Sequence, residues 1–180
     1  MPYLTLGKPR VVGLLLFAAA IAYIVAEGGT VMPSRLALLM AAGGFSAMGA
    51  SMMNHYLERD VDALMARTRE RPLASGRIAS PRRVMWLGFG LAASGTALGF
   101  VMSMLVGLMI GAGAIVYVLL YTLLLKRRTH WSVVIGGASG SCAVLAGWFA
   151  GASPSAAAFL LAGLLFTWQS AHFWPLALAR

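Results

Sequence analysis

Two long stretches without a charged residue constrain this chain more than any other feature of its sequence. Forty-two residues separate Arg83 from Lys126 and fifty-one separate Arg128 from Arg180, and none of them is Asp, Glu, Lys or Arg. A helix rises about 1.5 Å per residue and needs about 20 apolar residues to cross a bilayer, so each stretch is long enough for two crossings. The chain is therefore expected to lie in a membrane.

The overall composition excludes several other classes of protein. Hydrophobic residues make up 60% of the chain and charged residues only 11%, whereas a soluble domain carries about 25% charged residues. The single cysteine, Cys142, rules out a disulfide framework and a cysteine-based zinc or iron–sulfur site. The net charge of +9 is better explained by basic loops on one side of a membrane than by nucleic-acid binding, and no nucleic-acid partner is expected.

The uncharged runs predict an all-α, polytopic transmembrane bundle of about six helices. Two shorter runs, 11–26 and 36–57, add one helix each to the four in the long stretches. A turn is expected at 153–155, and the break between the third and fourth helices is expected near 103–107. The predicted helices lie at roughly 11–28, 35–57, 84–103, 107–125, 132–151 and 156–176.

The basic residues predict which side of the membrane each loop occupies. With six alternating crossings, thirteen of the fourteen Lys and Arg fall on the side of the N-terminus, and only Arg35 falls on the other. The positive-inside rule makes that side cytoplasmic. The first helix is expected to be retained rather than cleaved as a signal peptide. No transit peptide is evident, so we expect a prokaryotic cell membrane, the inner one where there are two.

The loop after the second helix holds the most informative polar residues. Four of the five acidic residues lie between positions 58 and 70, and Asn54, Glu58 and Asp62 are spaced four residues apart. If the second helix continues through Asp62, these three side chains share one face and Asp60 points elsewhere. Oxygen ligands of this kind suit Mg²⁺, which usually shares its coordination with substrate phosphates. The spacing therefore predicts a magnesium site at the membrane surface.

Basic residues follow the acidic ones and could complete a site for a metal–diphosphate, because guanidinium groups match phosphate oxygens. The alternative is that these charges form a solvated loop and an ordinary cytoplasmic helix end with aromatic anchors. The first basic cluster comprises Arg67, Arg69, Arg71 and Arg77, and the second comprises Tyr117 and Tyr121 followed by Lys126, Arg127, Arg128, Thr129 and His130.

These motifs resemble a known family. The pattern Asn54-x₃-Glu58-x₃-Asp62 resembles the first Asp-rich motif of the intramembrane prenyltransferases (the UbiA superfamily). The run 56–63 followed by 67–73 looks like the branch of that superfamily that farnesylates protoheme IX. The resemblance covers essentially all 180 residues in order. Three further segments support it: Leu6–Arg10, Tyr121–Thr129 and His172–Leu178.

The resemblance implies a nine-helix fold, of which residues 1–180 would be the N-terminal part of a single transmembrane prenyltransferase domain. Two departures stand out. Glu58 occupies a position where the family usually has Asp, and no Asp or Glu follows Glu70, so the second Asp-rich motif is missing. We therefore expect a truncated or split chain. Its partners would include the lipid bilayer and either the missing C-terminal half or terminal-oxidase assembly proteins.

The activity implied by the resemblance is transfer of the farnesyl group of farnesyl diphosphate to a vinyl group of haem b, which gives haem O. Mg²⁺ would be the cofactor, held by Asn54, Glu58 and Asp62, and Lys126 would join these three as a catalytic residue. The diphosphate would contact Arg67, Arg69, Arg71, Arg77, Tyr121, Lys126 and Arg127. His172 is a candidate haem ligand, with a structural hydrogen bond as the alternative.

Three other functions stay open. One is prenyl transfer to an aromatic or chlorin acceptor, and another is an inactive fragment or membrane scaffold. A transporter is the third, but it would need charged residues near the middle of the membrane, and every acidic residue here is predicted at an interface. Gly136 and Gly140, four residues apart, are expected to allow close helix packing. His55 is expected to be structural.

Overall fold

The described part of the chain is helical throughout and contains no β-strand. The structure is a computed structural model that describes residues 2–126, 128–129 and 131–178. A π-helical segment, Val116–Leu125, continues the fifth α-helix and is called the π segment below. The all-α prediction is confirmed. The α-helices are α1 (Pro2–Leu6), α2 (Pro9–Ala26), α3 (Pro33–Leu64), α4 (Pro81–Met102), α5 (Met104–Ile115), α6 (Ser132–Gly151) and α7 (Ala156–Leu178).

Local sequence explains where several helices begin and end. Helices α2, α3 and α4 each start with a proline, whose fixed φ and missing N–H suit the first turn. Gly28 and Gly29, both at positive φ, turn the chain after α2. Ser103 separates α4 from α5, and its Oγ accepts a hydrogen bond from the Val106 N–H at 3.2 Å. The break therefore lies inside the predicted interval.

Helix α3 differs most from its predicted range. It continues to Leu64, although the uncharged run that predicted it ends at residue 57. Charged residues do not end a helix when their side chains form ion pairs with neighbouring segments, as Glu58 and Asp62 do here. Helix α3 therefore includes Glu58 and Asp62, which meets the condition set for the one-face prediction. The short helix α1 was not predicted, because five residues are too few to show a helical period.

Among the residues that the structure describes, five helical stretches are long and apolar enough to cross a membrane. They are α2, α3, α4, α5 together with the π segment, and residues 134–151 of α6. Large apolar side chains lie exposed on the outside of the bundle, among them Leu14, Trp86, Val101 and Leu160. A bilayer would cover such side chains, whereas water would not. The chain therefore has the surface of a multi-pass membrane protein.

Helices α3 and α4 pack closely because glycines line their contact. A Cβ placed on Gly49 would overlap the backbone of Gly88 and Ala92, and one placed on Gly95 would overlap the backbone of Ala42. Small residues let two helix backbones approach closely in a membrane. The contact fixes the rotation of α3, and with it the direction in which its polar residues point.

Chain segments far apart in sequence meet at one end of the bundle. Helix α1 is tied to α3 by a hydrogen bond from Ser51 Oγ to the Leu6 carbonyl at 2.8 Å. The start of α2, the end of α3 and the end of the π segment also meet there, through contacts of Lys8 with Asn54 and of Lys126 with Glu58. We call this region the polar end.

Candidate functional site

Asn54, Glu58 and Asp62 form one buried face near the end of α3. Their exposed fractions are 1%, 6% and 2%, which is unusual for polar and acidic side chains. The Asp60 side chain is 77% exposed and pairs with Arg59 at 3.4 Å. The structure therefore confirms that the three residues share a face and that Asp60 lies off it. Buried carboxylates are tolerated when they are paired, so their partners define the site.

Asp62 is held by the loop that follows α3. Arg71 Nη1 donates to both carboxylate oxygens of Asp62, at 3.0 and 2.8 Å. The buried Thr68 hydroxyl donates to the Asp62 backbone carbonyl at 2.9 Å, which turns the loop back toward the helix. The first basic cluster thus contributes Arg71 directly to the acidic face.

Glu58 is paired across the bundle with Lys126, which follows the π segment. Lys126 Nζ forms an ion pair with Glu58 Oε1. The same ammonium group lies 5.5 Å from the centroid of the Tyr121 ring, within cation–π range. The structure therefore joins Glu58, Lys126 and Tyr121, which the sequence had placed in two separate clusters.

Asn54 has a partner on each side of its amide. Lys8 Nζ donates to Asn54 Oδ1 at 2.8 Å and to the Tyr117 hydroxyl at 3.0 Å. Asn54 Nδ2 donates to Thr122 Oγ1 at 3.0 Å. Because the nitrogen faces Thr122, the amide oxygen is the atom of Asn54 that faces the site.

The π segment places Tyr117 and Thr122 beside the polar residues of α3. The N–H of Lys126 donates to the carbonyl of Tyr121 five residues earlier, at 2.9 Å, which is the π-helical pattern. The rings of Tyr117 and Tyr121 stack with centroids 5.7 Å apart and 14° between their planes. Gly136 of α6 leaves room for Tyr121, since a Cβ there would lie 2.8 Å from the ring. The close-packing prediction for Gly136 is confirmed, and its neighbour is part of the site.

Lys8 is the main site residue that sequence reasoning missed. It sits between α1 and α2 in the left-handed backbone conformation, with φ 46° and ψ 59°. Burial and, to a smaller extent, the nearby charge of Arg71 lower the pKa of Lys8 from 10.5 to about 8. The available signal was a lysine in Gly7-Lys8-Pro9 at the start of an apolar helix. Tyr117 was grouped with the second basic cluster but given no role, and Thr68 and Thr122 were not singled out, because each acts through a single hydroxyl group.

Several predicted residues lie apart from this network. Arg67, Arg69 and Arg77 are exposed, although Arg67 lies within electrostatic reach of the Tyr121 hydroxyl. His172 lies on α7, where its ring stacks on Trp168 at a centroid distance of 5.2 Å. Arg127 falls outside the described residues. The roles assigned to these five residues stay predictions.

His55 belongs to the buried polar part of α3. It is 5% exposed, and neither ring nitrogen has a hydrogen-bond partner in the described part of the chain. It follows Asn54 directly and lies three residues before Glu58 on the helix. Its structural role stays a prediction.

The oxygen atoms on the α3 face fit a hard cation. The described residues hold no cluster of three or more His, Cys, Asp or Glu for a metal, so a protein-only cage of those residues is not formed there. Two carboxylates and one amide oxygen remain. Mg²⁺ matches such a set because it keeps several waters and completes its coordination with phosphate oxygens. The adjacent Lys8, Arg71 and Lys126 supply positive charge suited to those phosphates.

Comparison with known proteins adds a family and a fold. The model of the UbiA prenyltransferase family matches residues 15–180. Protoheme IX farnesyltransferase of Caldivirga maquilingensis is 39% identical over 176 residues, which are 97% of this chain and 62% of that protein. Protoheme IX farnesyltransferase of Streptomyces coelicolor is 41% identical over 179 residues, 98% of this chain and 56% of that protein. The chain thus spans about three fifths of the length of these relatives.

A solved structure has the same fold. The UbiA homologue from Archaeoglobus fulgidus bound to DMAPP and Mg²⁺ superposes with a TM-score of 0.78 at 21% identity, covering 93% of this chain and 61% of that one. The match extends over nearly all of the helical bundle. The expected prenyltransferase fold is confirmed.

Proposed function

This chain belongs to the UbiA prenyltransferase family, and we propose that it binds farnesyl diphosphate with Mg²⁺ and transfers the farnesyl group to a vinyl group of haem b. The farnesyl carbon would bond to the outer vinyl carbon, and a water molecule would add its hydroxyl group to the inner one and release a proton, which gives haem O. One observation carries the proposal: three buried oxygen-bearing side chains on one helix face, each in contact with a cationic side chain, at one end of a membrane bundle. The choice of haem b rests on the names of curated relatives about 40% identical to this chain.

The residues of the polar end divide into two roles. Asn54, Glu58 and Asp62 would hold Mg²⁺, which supplies charge neutralisation to the departing diphosphate when it is bound. Lys126 and Arg71 would donate hydrogen bonds to the diphosphate oxygens as the allylic C–O bond breaks and its electron pair stays on the diphosphate. Lys8, buried at the same place, would add a third donor.

The remaining predicted residues are assigned supporting roles around the diphosphate and the acceptor. Tyr121 and the stacked Tyr117 would cover the diphosphate end of the substrate and limit the access of water. The outer diphosphate contacts would be Arg67, Arg69, Arg77 and Arg127. His172 would contact haem b from α7.

We also propose that the polar end faces the cytoplasm of a prokaryotic cell. It carries most of the thirteen basic residues on one side of the predicted topology, and basic residues mark the cytoplasmic side. A diphosphate head group delivered from the cytoplasm would meet the site directly, while the farnesyl chain would enter the apolar bundle.

The test is the reaction itself, with this chain in membrane vesicles, haem b, farnesyl diphosphate and Mg²⁺. Haem O is read by chromatography. We expect conversion that is lost in Asp62→Asn and kept in Asp60→Asn, a matched control because Asp60 is exposed. Conversion that survives Asp62→Asn would contradict the assigned site.

Two further arms separate the alternatives. If the chain prenylates an aromatic or chlorin acceptor and not haem b, the family holds but the acceptor is wrong. If haem O forms only after co-expression with the C-terminal part of a full-length relative, the rest of the site comes from another segment. No conversion in any arm would reject the catalytic proposal and favour a scaffold.

A further inference from the structure

Each of the three side chains proposed to bind the metal already contacts a cationic side chain. Arg71 donates to both oxygens of Asp62, Lys126 pairs with Oε1 of Glu58, and Lys8 donates to the single amide oxygen of Asn54. Because Arg71 Nη1 contacts both oxygens of Asp62, it occupies the position that a metal chelated by both oxygens would take. The three basic residues and the metal therefore compete for the same three side chains.

The net charge of the cluster disfavours binding of the metal alone and favours binding of the metal together with a diphosphate. Lys8, Arg71 and Lys126 carry three positive charges, and Glu58 and Asp62 carry two negative ones, so the cluster has a net charge of +1. A divalent metal alone would raise it to +3 and would leave the displaced cations without a partner. A diphosphate ester carries about three negative charges, since its terminal phosphate alone carries nearly two. Metal and diphosphate together return the cluster to near neutrality.

The two acidic side chains are held in a buried position, whereas two of their basic partners are partly exposed to solvent. The side chains of Glu58 and Asp62 are 8% and 3% exposed and sit on α3, which is locked against α4. Lys126 and Arg71 are 39% and 30% exposed and lie beyond the end of the π segment and in the loop after α3. Their long side chains can rotate toward solvent while the carboxylates stay in place.

We propose that Lys126 and Arg71 are exchangeable counter-ions, which hold Glu58 and Asp62 until substrate arrives and move to the diphosphate when the metal takes the carboxylates. Metal and diphosphate then bind strongly only together. The coupling is reciprocal, because whatever the metal gains from the diphosphate the diphosphate gains from the metal. This inference rests on the proposed function, since it takes the diphosphate and the metal as the ligands of this site.

Because Lys126 would compete with the metal but bind the diphosphate, its removal should raise the affinity for the metal and lower the affinity for the diphosphate. Binding measurements alone can therefore test the proposal. Lys126→Met removes the competitor of the metal and also a donor to the diphosphate. We expect the affinity for Mn²⁺ alone, read from the electron paramagnetic resonance signal of free Mn²⁺, to rise at least about fivefold. We expect the affinity for farnesyl thiolodiphosphate with Mg²⁺, a non-reacting analogue, to fall by at least the same factor.

Two more variants complete the experiment. Arg71→Met tests the exchange at Asp62, and we again expect the affinity for Mn²⁺ to rise and that for the thiolodiphosphate to fall. This second variant keeps the proposal falsifiable if Lys126→Met does not fold. Arg59→Met is the matched control, because it removes one positive charge beside Glu58 while its partner is the exposed Asp60. Circular dichroism and a monodisperse elution profile establish that each variant is folded.

The outcomes separate this inference from the function beneath it. If the wild-type chain binds no thiolodiphosphate, both the proposed function and the exchange are wrong. If it binds the analogue but Mn²⁺ affinity in Lys126→Met and Arg71→Met stays unchanged or falls, the function stands and the exchange is wrong. A rise no larger than that in Arg59→Met would be a general effect of net charge and would also overturn it.

Discussion

Helix α3 has an apolar half, here taken as 33–49, and a polar half, 50–64, which bury side chains by different kinds of contact. In the apolar half, Leu39 and Ala42 pack into the apolar core and Gly49 lies against the backbone of α4. In the polar half, Asn54, Glu58 and Asp62 are covered by charged and hydroxyl groups from the start of α2, the following loop and the π segment. One half depends on the close fit of neighbouring helices, and the other on partners far away in sequence. Substitutions in the two halves should therefore fail in different ways.

The largest effect is expected at Glu58, in the polar half. Glu58→Gln keeps the shape but removes the charge, and we expect haem O formation to fall at least about 100-fold, the size of loss seen when a group that stabilises transition-state charge is removed. Glu58→Asp restores the residue usual in the family and should stay within about tenfold of the original rate, about 1.4 kcal/mol in the barrier. Chromatography of haem O measures both, and equal losses would show that reach matters more than charge.

A stability effect is expected at Gly49, in the apolar half. Gly49→Leu inserts a side chain where a Cβ already meets the backbone of α4, and we expect the free energy of unfolding to fall by about 3 kcal/mol. Gly90→Leu is the matched control on α4, because nothing lies within 4 Å of a Cβ at that position. Unfolding in mixed micelles measures both. A Gly49→Leu chain as stable as the control would show that the helices can move apart freely.

A smaller effect is expected from the buried amine at the edge of the polar half. The pKa of Lys8 is lowered by burial from 10.5 to about 8, so the folded chain loses this proton at a lower pH than the unfolded chain. Between pH 8 and 10 the unfolded state binds more protons, and stability rises with pH. Lys8→Met should lack this rise when both chains are unfolded in the presence of EDTA. Parallel pH profiles would mean that Lys8 is not desolvated.

The smallest effect is expected at Asp60, which is next to the polar face in sequence but outside it in space. Its side chain is exposed and pairs only with Arg59 among the described residues. Exposed ion pairs contribute about 1 kcal/mol or less. Asp60→Asn should therefore leave both stability and haem O formation within about twofold of the original. A large loss of activity would mean that the buried face does not define the site.

The sequence contained enough to predict the buried face but not what covers it. The four-residue spacing of Asn54, Glu58 and Asp62 is a local property of a helix, so it could be interpreted without the fold. The partners join positions 46 and 68 residues apart, and no local pattern encodes such pairings. Lys8 was therefore left in a motif without an assigned role. The extension of α3 beyond residue 57 could only be assumed, as the requirement for Asn54, Glu58 and Asp62 to share a face.

The π segment also escaped prediction, because periodicity analysis assumes 3.6 residues per turn. Its hydrogen bonds span five residues, as in Lys126 to Tyr121. The rotation per residue about the helix axis therefore differs from that of an α-helix. An apolar run such as 116–125 looks the same in either register. The five-residue hydrogen bonds and the positions of Tyr117, Thr122 and Lys126 against α3 distinguish them in the structure.

That register has a consequence for anyone who copies this arrangement. A protein engineer who grafted the same side chains onto an idealised bundle of straight α-helices would keep every residue but lose the contact between Lys126 and Glu58. The difference in rotation between the two helix types accumulates along 116–125 and would turn Lys126 away from Glu58. Deletion of one residue within 116–125 would do the same to this chain and would yield a more regular helix. The π segment is what brings Lys126 into line with Glu58 of α3, and a scaffold meant to host this chemistry needs that segment as much as it needs the carboxylates.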